Sequence, residues 1–284
     1  MEILDGKALA ERIKVNVAAN ARDLAKKPCL ACIIVGDDKA SQTYVASKKR
    51  ACEMYGLDSV VVELSGNVTQ TALERKIAEL NADKNVDGIL LQLPLPHHLD
   101  DDSAINKISP LKDVDCLTYQ NLGRLFSNKG DFAPCTATGI IKLLKANNVE
   151  IQGKNAVVIG RSLLVGKSVA SLLEQENATV TICHSKTRNL KEMTMQADIL
   201  VVAIGKAKFI TAEYVKAGAV VVDVGINRID GKIYGDVDFE NVAPICSKIS
   251  PVPGGVGPLT VACLLENTLT LAKHAQRGKQ TENN

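Results

Sequence analysis

Tyr44 and Lys48 stand four residues apart in the stretch Ser41-Gln-Thr-Tyr-Val-Ala-Ser-Lys48. On a helix that spacing puts a phenol and an amine on one face. Tyr-xxx-Lys alone is a weak signal, because surface helices carry such pairs without any function. Gln92 follows near the carboxyl end of Gly88-Ile-Leu-Leu-Gln-Leu-Pro-Leu-Pro96, an apolar run with strand character. Open α/β sheets bind their ligands at those ends. Asp115 closes Lys112-Asp-Val-Asp115, which sets two carboxylates in the loop just beyond.

A second group of residues suits a phosphate. Val157-Val-Ile-Gly-Arg-Ser-Leu-Leu-Val-Gly-Lys167 reads as a strand, a glycine turn at Gly160 and the start of a helix. The glycine allows a tight turn, and the free N–H groups of the helix start face an anion. The pattern is not a full GxGxxG. Ser162 takes the second glycine position, and Gly166 falls one residue late. Taken alone, such a loop is as readily a plain βα turn. NAD enzymes carry an acid for the ribose 2′-hydroxyl about 20 residues further on. Here that place reads His184-Ser-Lys-Thr-Arg188, without Asp or Glu. A carboxylate would repel a 2′-phosphate, whereas Ser185 and Arg161 would receive it, the arginine through charge-assisted bonds. NADP is therefore the expected cofactor, with Lys186 and Arg188 read as solvated surface charges. Pro251-Val-Pro-Gly-Gly-Val-Gly-Pro258 is a rigid, glycine-permissive loop that could lie flat against a planar ligand.

The elements that position these residues alternate between helix and strand. Lys7 to Lys26 has helical periodicity, Cys29 to Val35 is a short apolar strand, and a helix capped by Ser41 runs to about Tyr55, closed by Gly56. Ser59 to Leu64 and Gly88 to Leu93 read as strands around a helix at Thr69 to Ala82, and residues 100–128 read as irregular. Near-continuous apolar strands in such a series indicate a parallel sheet covered on both faces. After a helix at Thr138 to Asn147, a second series places strands at Asn155 to Ile159, Thr179 to Cys183, Ile199 to Ala203 and Val220 to Val224, with a helix at Lys167 to Glu176. Asp230-Gly231 marks a hairpin turn, a last helix covers Leu259 to Lys273, and the polar tail from Gly278 reads as disordered. The fold class is α/β, with two α/β domains and the second Rossmann-like. Residues 1–118 with 265–284 form one domain and 119–264 the other.

Composition narrows the partners. The 284 residues are 46% hydrophobic and 23% charged, with a net charge of only +2. Nothing in that balance recruits nucleic acid or an anionic membrane, and no apolar run approaches the ~20 residues that cross a bilayer. Met1-Glu-Ile-Leu-Asp5 lacks the basic start of a signal peptide, so the cytoplasm is the expected compartment. The eight cysteines include a CxxC at Cys29 and Cys32. Its members sit three apart on a strand and face opposite sides, so they read as buried thiols. The four histidines show no ligand spacing, and no metal is expected.

Taken together, Tyr44-Val-Ala-Ser-Lys48, Gly88 to Pro96, Lys112 to Asp115, Pro134-Cys-Thr136, Gly160-Arg-Ser162 with Val165-Gly166, Asp223-Val-Gly-Ile-Asn227 and Pro251 to Pro258 resemble one family. It is that of bifunctional methylenetetrahydrofolate dehydrogenase/methenyltetrahydrofolate cyclohydrolase, and the stretches follow its order over nearly the whole chain. The resemblance implies a ligand cleft between two domains, with tetrahydrofolate derivatives on the first and NADP on the second. It makes Lys48 the principal catalytic group, with Tyr44 stacking on the folate, Gln92 supporting Lys48 and Asp115 meeting the pterin edge. It assigns Gly160, Arg161, Ser162, Ser185 and Ile226 to NADP, and Pro253, Gly254 and Gly255 to the border of the substrate. It also implies a cytoplasmic homodimer serving purine, methionine and histidine biosynthesis. Lysine chemistry suits the hydrolytic step, provided the amine is partly neutral near pH 7. Three positions depart from the family pattern: Cys116 stands for glycine, and Ala137 and Ser168 for prolines. A family member with only one of the two activities, an NADP oxidoreductase acting on another substrate, and a nucleotide sensor are the alternatives.

Overall fold

A computed structural model describes the backbone of residues 1–282 and the side chains of residues 1–276. The backbone is helical as far as Glu282, against the expectation of a disordered tail from Gly278, because the polar tail continues the last helix. By its contacts the chain forms two compact units, Met1–Glu11 with Ala133–Cys263, and Arg12–Phe132 with the chain from Leu264 on. The crossings lie inside the first and last helices and at 132/133, not near 118. Asp113 accounts for that shift. Its buried carboxylate accepts the N–H groups of Leu117 and Thr118 and the amide of Asn121, which fastens the following helix to the earlier unit.

The chain opens with β1 (Glu2–Ile3) and α1 (Gly6–Arg22), then β2 (Cys29–Val35), α2 (Lys39–Met54), β3 (Asp58–Leu64), α3 (Gln70–Ala82), β4 (Gly88–Leu91), α4 (Asp101–Ile105) and α5 (Tyr119–Phe126). Strands β3, β2 and β4 form a parallel three-stranded sheet in that order, with β2 central and buried along its length. Ala31, Ile33 and Val35 of β2 pack with Leu73 and Ile77 of α3 and with Ile89 and Leu91 of β4. Each fully buried aliphatic side chain of that kind contributes roughly 1.5–3 kcal/mol. The region expected to be irregular holds two short helices. Asp100 caps α4 through the N–H of Ser103, and Thr118 caps α5 through that of Asn121, so local side-chain acceptors start helices in a polar stretch.

The other unit contains α6 (Cys135–Ala146), β5 (Asn155–Ile159), a π-turn at Leu163–Lys167, α7 (Ser168–Gln175), β6 (Thr179–Cys183), α8 (Leu190–Thr194), β7 (Ile199–Val202), β8 (Val220–Asp223), the hairpin β9 (Asn227–Ile229) and β10 (Lys232–Tyr234), α9 (Phe239–Val242), β11 (Lys248–Ile249) and the start of α10 (Val256–Glu282). Its parallel sheet runs β1-β11-β8-β7-β5-β6. From β5 the chain goes outward to β6, then returns to place β7 on the other side of β5. This reversal is the topological switch point at which such sheets bind ligands, outside the carboxyl ends of the strands. Asp230 and Gly231 both have positive φ, as a two-residue hairpin turn requires. Helix α6 starts at Cys135, about a turn before the expected Thr138, because Ala137 and Gly139 are small enough to be buried there; a Cβ on Gly139 would lie 2.9 Å from that of Leu259.

Candidate active site

Helix α2 carries the amine. Its cap is Asp38, not Ser41: the Asp38 carboxylate accepts the N–H of Ser41 at 2.8 Å, and Ser41 itself is buried inside the first turn. That hydrogen bond, made to the charged form, holds the Asp38 carboxyl below its ordinary range. Ser41, Val45 and Cys52 form the buried face, which leaves Lys48 half-buried and Tyr44 36% exposed beside it.

Gln92 lies just past β4, where its N–H bonds to the Ile33 carbonyl of β2 at 2.9 Å. The side chain is oriented at both ends. Its Nε2 donates to the Leu93 carbonyl at 2.7 Å, and its Oε1 accepts from Lys48 Nζ at 3.0 Å. Because the carbonyl of Leu93 demands a donor, the amide oxygen must face the lysine. The Gln92 amide oxygen thus holds the Lys48 amine.

Burial pushes the Cys32 thiol on β2 up to about 12, with the Lys48 charge opposing that shift and the Asp115 charge adding to it. Asp115 itself is half-buried. The rest of the Lys112 to Asp115 stretch is scaffolding. Lys112 donates to the Leu80 and Asp83 carbonyls at the end of α3, at 3.0 and 2.7 Å. Ile89 and Asp113 form a parallel bridge that holds the loop along β4. Gly88 permits that approach, since a Cβ there would lie 2.2 Å from Val114 Cγ1, and Asn267 donates to the Val114 carbonyl at 2.8 Å. Gly88 and Asn267 carry no sequence signal of this role, because their partners are distant in the chain. Cys116 has φ +55°, the left-handed region that favours glycine, and its thiol donates to the Phe132 carbonyl at 3.5 Å.

The glycine turn of the other unit sits at the switch point. Gly160 has φ +127°, and a Cβ on it would lie 2.3 Å from the Ala203 carbonyl oxygen beyond β7. Gly166, one residue late for the usual fingerprint, is brought into place by the π-turn. The Lys167 N–H reaches back five residues to the Ser162 carbonyl at 2.9 Å, and a Cβ on Gly166 would lie 2.2 Å from the Gly160 carbonyl oxygen. The wider turn therefore absorbs the extra residue. Ser162 Oγ caps the turn by accepting the Val165 N–H at 3.3 Å, and Ser168, where a proline was expected, bonds its hydroxyl to the Leu163 carbonyl.

Arg161, Ser162 and Ser185 are exposed, and Ile226 is 45% exposed near Gly257 at the start of α10. Ser185 lies in a tight turn in which Thr187 Oγ1 accepts the His184 N–H at 2.8 Å. Pro253 is exposed, Gly254 half-buried with φ +107°, and Gly255 buried with its N–H on the Pro251 carbonyl at 2.8 Å. The Lys7 N–H donates to the Gly254 carbonyl at 2.9 Å, so the amino-terminal segment pins this loop.

Among the described residues all eight cysteines are free and buried, no group of His, Cys, Asp and Glu could hold a metal ion, and no helix is long and apolar enough to cross a membrane. A glycine turn at the switch point of a parallel sheet, in a chain with a second α/β unit bearing a lysine held by a glutamine, defines the class of two-domain NAD(P)-binding enzymes. Residues 134–276 match the NAD(P)-binding domain of tetrahydrofolate dehydrogenase/cyclohydrolase, and residues 4–115 match its catalytic domain. The chain belongs to the tetrahydrofolate dehydrogenase/cyclohydrolase family. It is 55% identical to the bifunctional protein FolD of Campylobacter hominis, over 96% of this chain and 98% of that one. The crystal structure of the bifunctional FolD enzyme from Campylobacter jejuni superposes with a TM-score of 0.95 at 48% identity, covering 96% of this chain and 99% of that one. The Trypanosoma brucei enzyme, solved with NADP cofactor and inhibitor, gives 0.92 at 41% identity, with 96% and 97% covered.

Proposed function

We propose that this protein oxidises 5,10-methylenetetrahydrofolate with NADP+ and hydrolyses the resulting 5,10-methenyltetrahydrofolate to 10-formyltetrahydrofolate. The observation that carries this reading is the Lys48 amine held on the Gln92 amide oxygen at 3.0 Å, in a chain of this family. In the first reaction a hydride leaves the methylene bridge, which becomes a cationic methenyl carbon. That step needs positioning more than acid–base help. In the second, water adds to the methenyl carbon, the C–N5 bond breaks, N5 takes one proton and a second is released. Lys48 is the group that moves protons in that hydrolysis, and Gln92 keeps its amine aimed. Tyr44 presents an exposed ring for the flat pterin, Asp115 accepts hydrogen bonds from the pterin's amino-pyrimidine edge, and Pro253 to Gly255 border the substrate.

NADP supplies the hydride acceptor when bound. The residues present fit it: the Gly160 turn leaves room that a Cβ would fill, and Arg161 and Ser185 are exposed with no carboxylate among residues 184–188. In this reading Gly160 and Ser162 receive the pyrophosphate, Arg161 and Ser185 the 2′-phosphate, and Ile226 packs on the cofactor. Family resemblance also supports a cytoplasmic homodimer serving purine, methionine and histidine biosynthesis.

The test gives purified wild-type protein and Lys48→Met 5,10-methylenetetrahydrofolate and NADP+, and follows absorbance. The expected result is NADPH formation by the wild type, with methenyl hydrolysis falling at least about a hundredfold in the variant. A wild-type protein that forms no NADPH and binds no folate would overturn the proposal; unimpaired hydrolysis by Lys48→Met would withdraw the role of Lys48.

A further inference from the structure

Two buried carboxylates with no part in the chemistry above hold together the carboxyl-end loops of the six-stranded sheet. Asp236 is fully buried and Asp223 nearly so. Oδ2 of Asp236 accepts the backbone N–H groups of Ile204 at 2.7 Å and Gly205 at 2.9 Å. Its Oδ1 accepts the Lys206 N–H at 2.8 Å and the Asn227 side-chain amide at 2.9 Å. Asp223 Oδ1 accepts the N–H groups of Gly225 and of Asp236 itself, and its Oδ2 that of Val237, all at 2.9 Å. Burying a carboxylate without such donors would be prohibitive; here each oxygen has at least one.

The donors come from three segments, 204–206, 225–227 and 236–237. Two glycines make the arrangement possible. A Cβ on Gly225 would lie 2.3 Å from Asp236 Oδ1, and one on Gly235 would lie 1.8 Å from Asp223 Oδ2. Each carboxylate thus occupies the space that the facing glycine leaves open. Residues 204–206 continue directly from Ala203, whose carbonyl is the one that Gly160 must pass, and residues 225–227 carry Ile226. The Asp236 carboxylate is therefore a point to which the chain beside the glycine turn and the chain bearing Ile226 are both tied.

We infer that Asp236, seated on Gly225 and supported by Asp223, is a positioning residue for NADP: it fixes the loops after β7 and β8 that border the Gly160 turn. The inference rests on the NADP reading above. It predicts a defect confined to the reaction that needs the cofactor, because the hydrolytic residues lie on α2, after β4 and before α5.

The experiment compares full-length wild type, Asp236→Asn and Gly225→Ala. Measured are kcat and KM for NADP in the dehydrogenase reaction, methenyl hydrolysis without NADP, and the thermal unfolding midpoint. Asparagine keeps the size of aspartate but places an amide donor among N–H groups that need an acceptor. The alanine Cβ displaces the carboxylate while leaving it in the chain. Both variants should raise KM for NADP about tenfold or more while hydrolysis stays within about twofold. A KM for NADP unchanged in both, or hydrolysis falling in step with the dehydrogenase, overturns the inference. If neither variant folds, Asn227→Ala decides: by removing one of the four donors to Asp236 it should raise KM for NADP about two- to fivefold, and an unchanged value overturns the inference. A wild type that hydrolyses methenyltetrahydrofolate but never reduces NADP would instead defeat the underlying cofactor reading.

Discussion

The surroundings of Lys48 and of Gly160 solve opposite problems. Around Lys48 the groups to which the proposed function gives a role belong to side chains: an amine on α2, an amide just after β4 and a carboxylate before α5. The elements beneath them need only bring the groups near one another, and flexible side chains complete the fit. Around Gly160 the useful feature is backbone shape. The turn exists because two glycines, Gly160 and Gly166, let carbonyl oxygens come within a distance that any side chain would block. The contrast is between chemistry that can be lost one functional group at a time and a surface that one added methyl group destroys.

The largest break in that comparison should come from Gly160→Ala. At φ +127° an L-residue is strained by roughly 1–3 kcal/mol before any clash, and the new Cβ meets the Ala203 carbonyl. NADPH formation should fall more than about a hundredfold, while NADP-independent hydrolysis, which the proposed function assigns to Lys48, falls far less. Initial rates of the two reactions on one preparation check this, and equal losses would mean that the two regions are not separable.

A sharper but smaller test uses the carboxylate beneath the cradle. Burial raises the Asp223 carboxyl from 3.8 to about 6, against the opposing N–H bonds of Val237, Asp236 and Gly225, with the nearby Asp236 charge adding to the rise. Between those values the folded protein binds more protons than the unfolded one. The stability that this group contributes is therefore complete below 3.8 and lost as pH rises through about 6. The loss amounts to roughly 3 kcal/mol. Denaturant unfolding of wild type and Asp223→Asn from pH 4 to 7 should show the wild-type advantage shrinking as pH rises and levelling off above the upper value. An advantage that grows with pH would contradict this account.

The smallest expected effect concerns the lysine side, at the one place where backbone conformation matters there. Cys116 occupies the left-handed region at φ +55°. Both Cys116→Gly and Cys116→Ala lose the buried thiol, but only glycine relieves the backbone. The glycine variant should be more stable than the alanine variant by about 1 kcal/mol, read as a difference in thermal midpoint. Equal midpoints would mean that the loop before α5 relaxes freely.

How far each region could be read beforehand follows the same divide. Lys48, Tyr44, Gln92 and Asp115 are weak signals one by one and stand out only through the family resemblance of the stretches that carry them; the structure brings Lys48 onto Gln92. The scaffold under Asp115 was not legible. Lys112 and Asp113 look like site residues, yet Lys112 meets carbonyls at the end of α3, far back in the chain, and Asp113 fastens α5, in a stretch that reads as irregular from its sequence. The cap of α2 went to Asp38 rather than Ser41, since the helix begins earlier, at Lys39, and the Asp38 carboxylate accepts the Ser41 N–H inside its first turn.

The sequence by itself determined the alternation of strands and helices, the parallel sheets and the phosphate-type turn without its acid, since all of these are local properties of residue type and spacing. Only the tertiary structure decided that a π-turn brings a late Gly166 onto Gly160, that α5 joins the lysine-bearing unit, and that Asp223 and Asp236 interlock with Gly235 and Gly225. The reason is physical. Local patterns set which conformations a segment prefers, whereas where a carboxylate finds its donors, and where a missing Cβ is needed, depends on chain segments that meet only on folding.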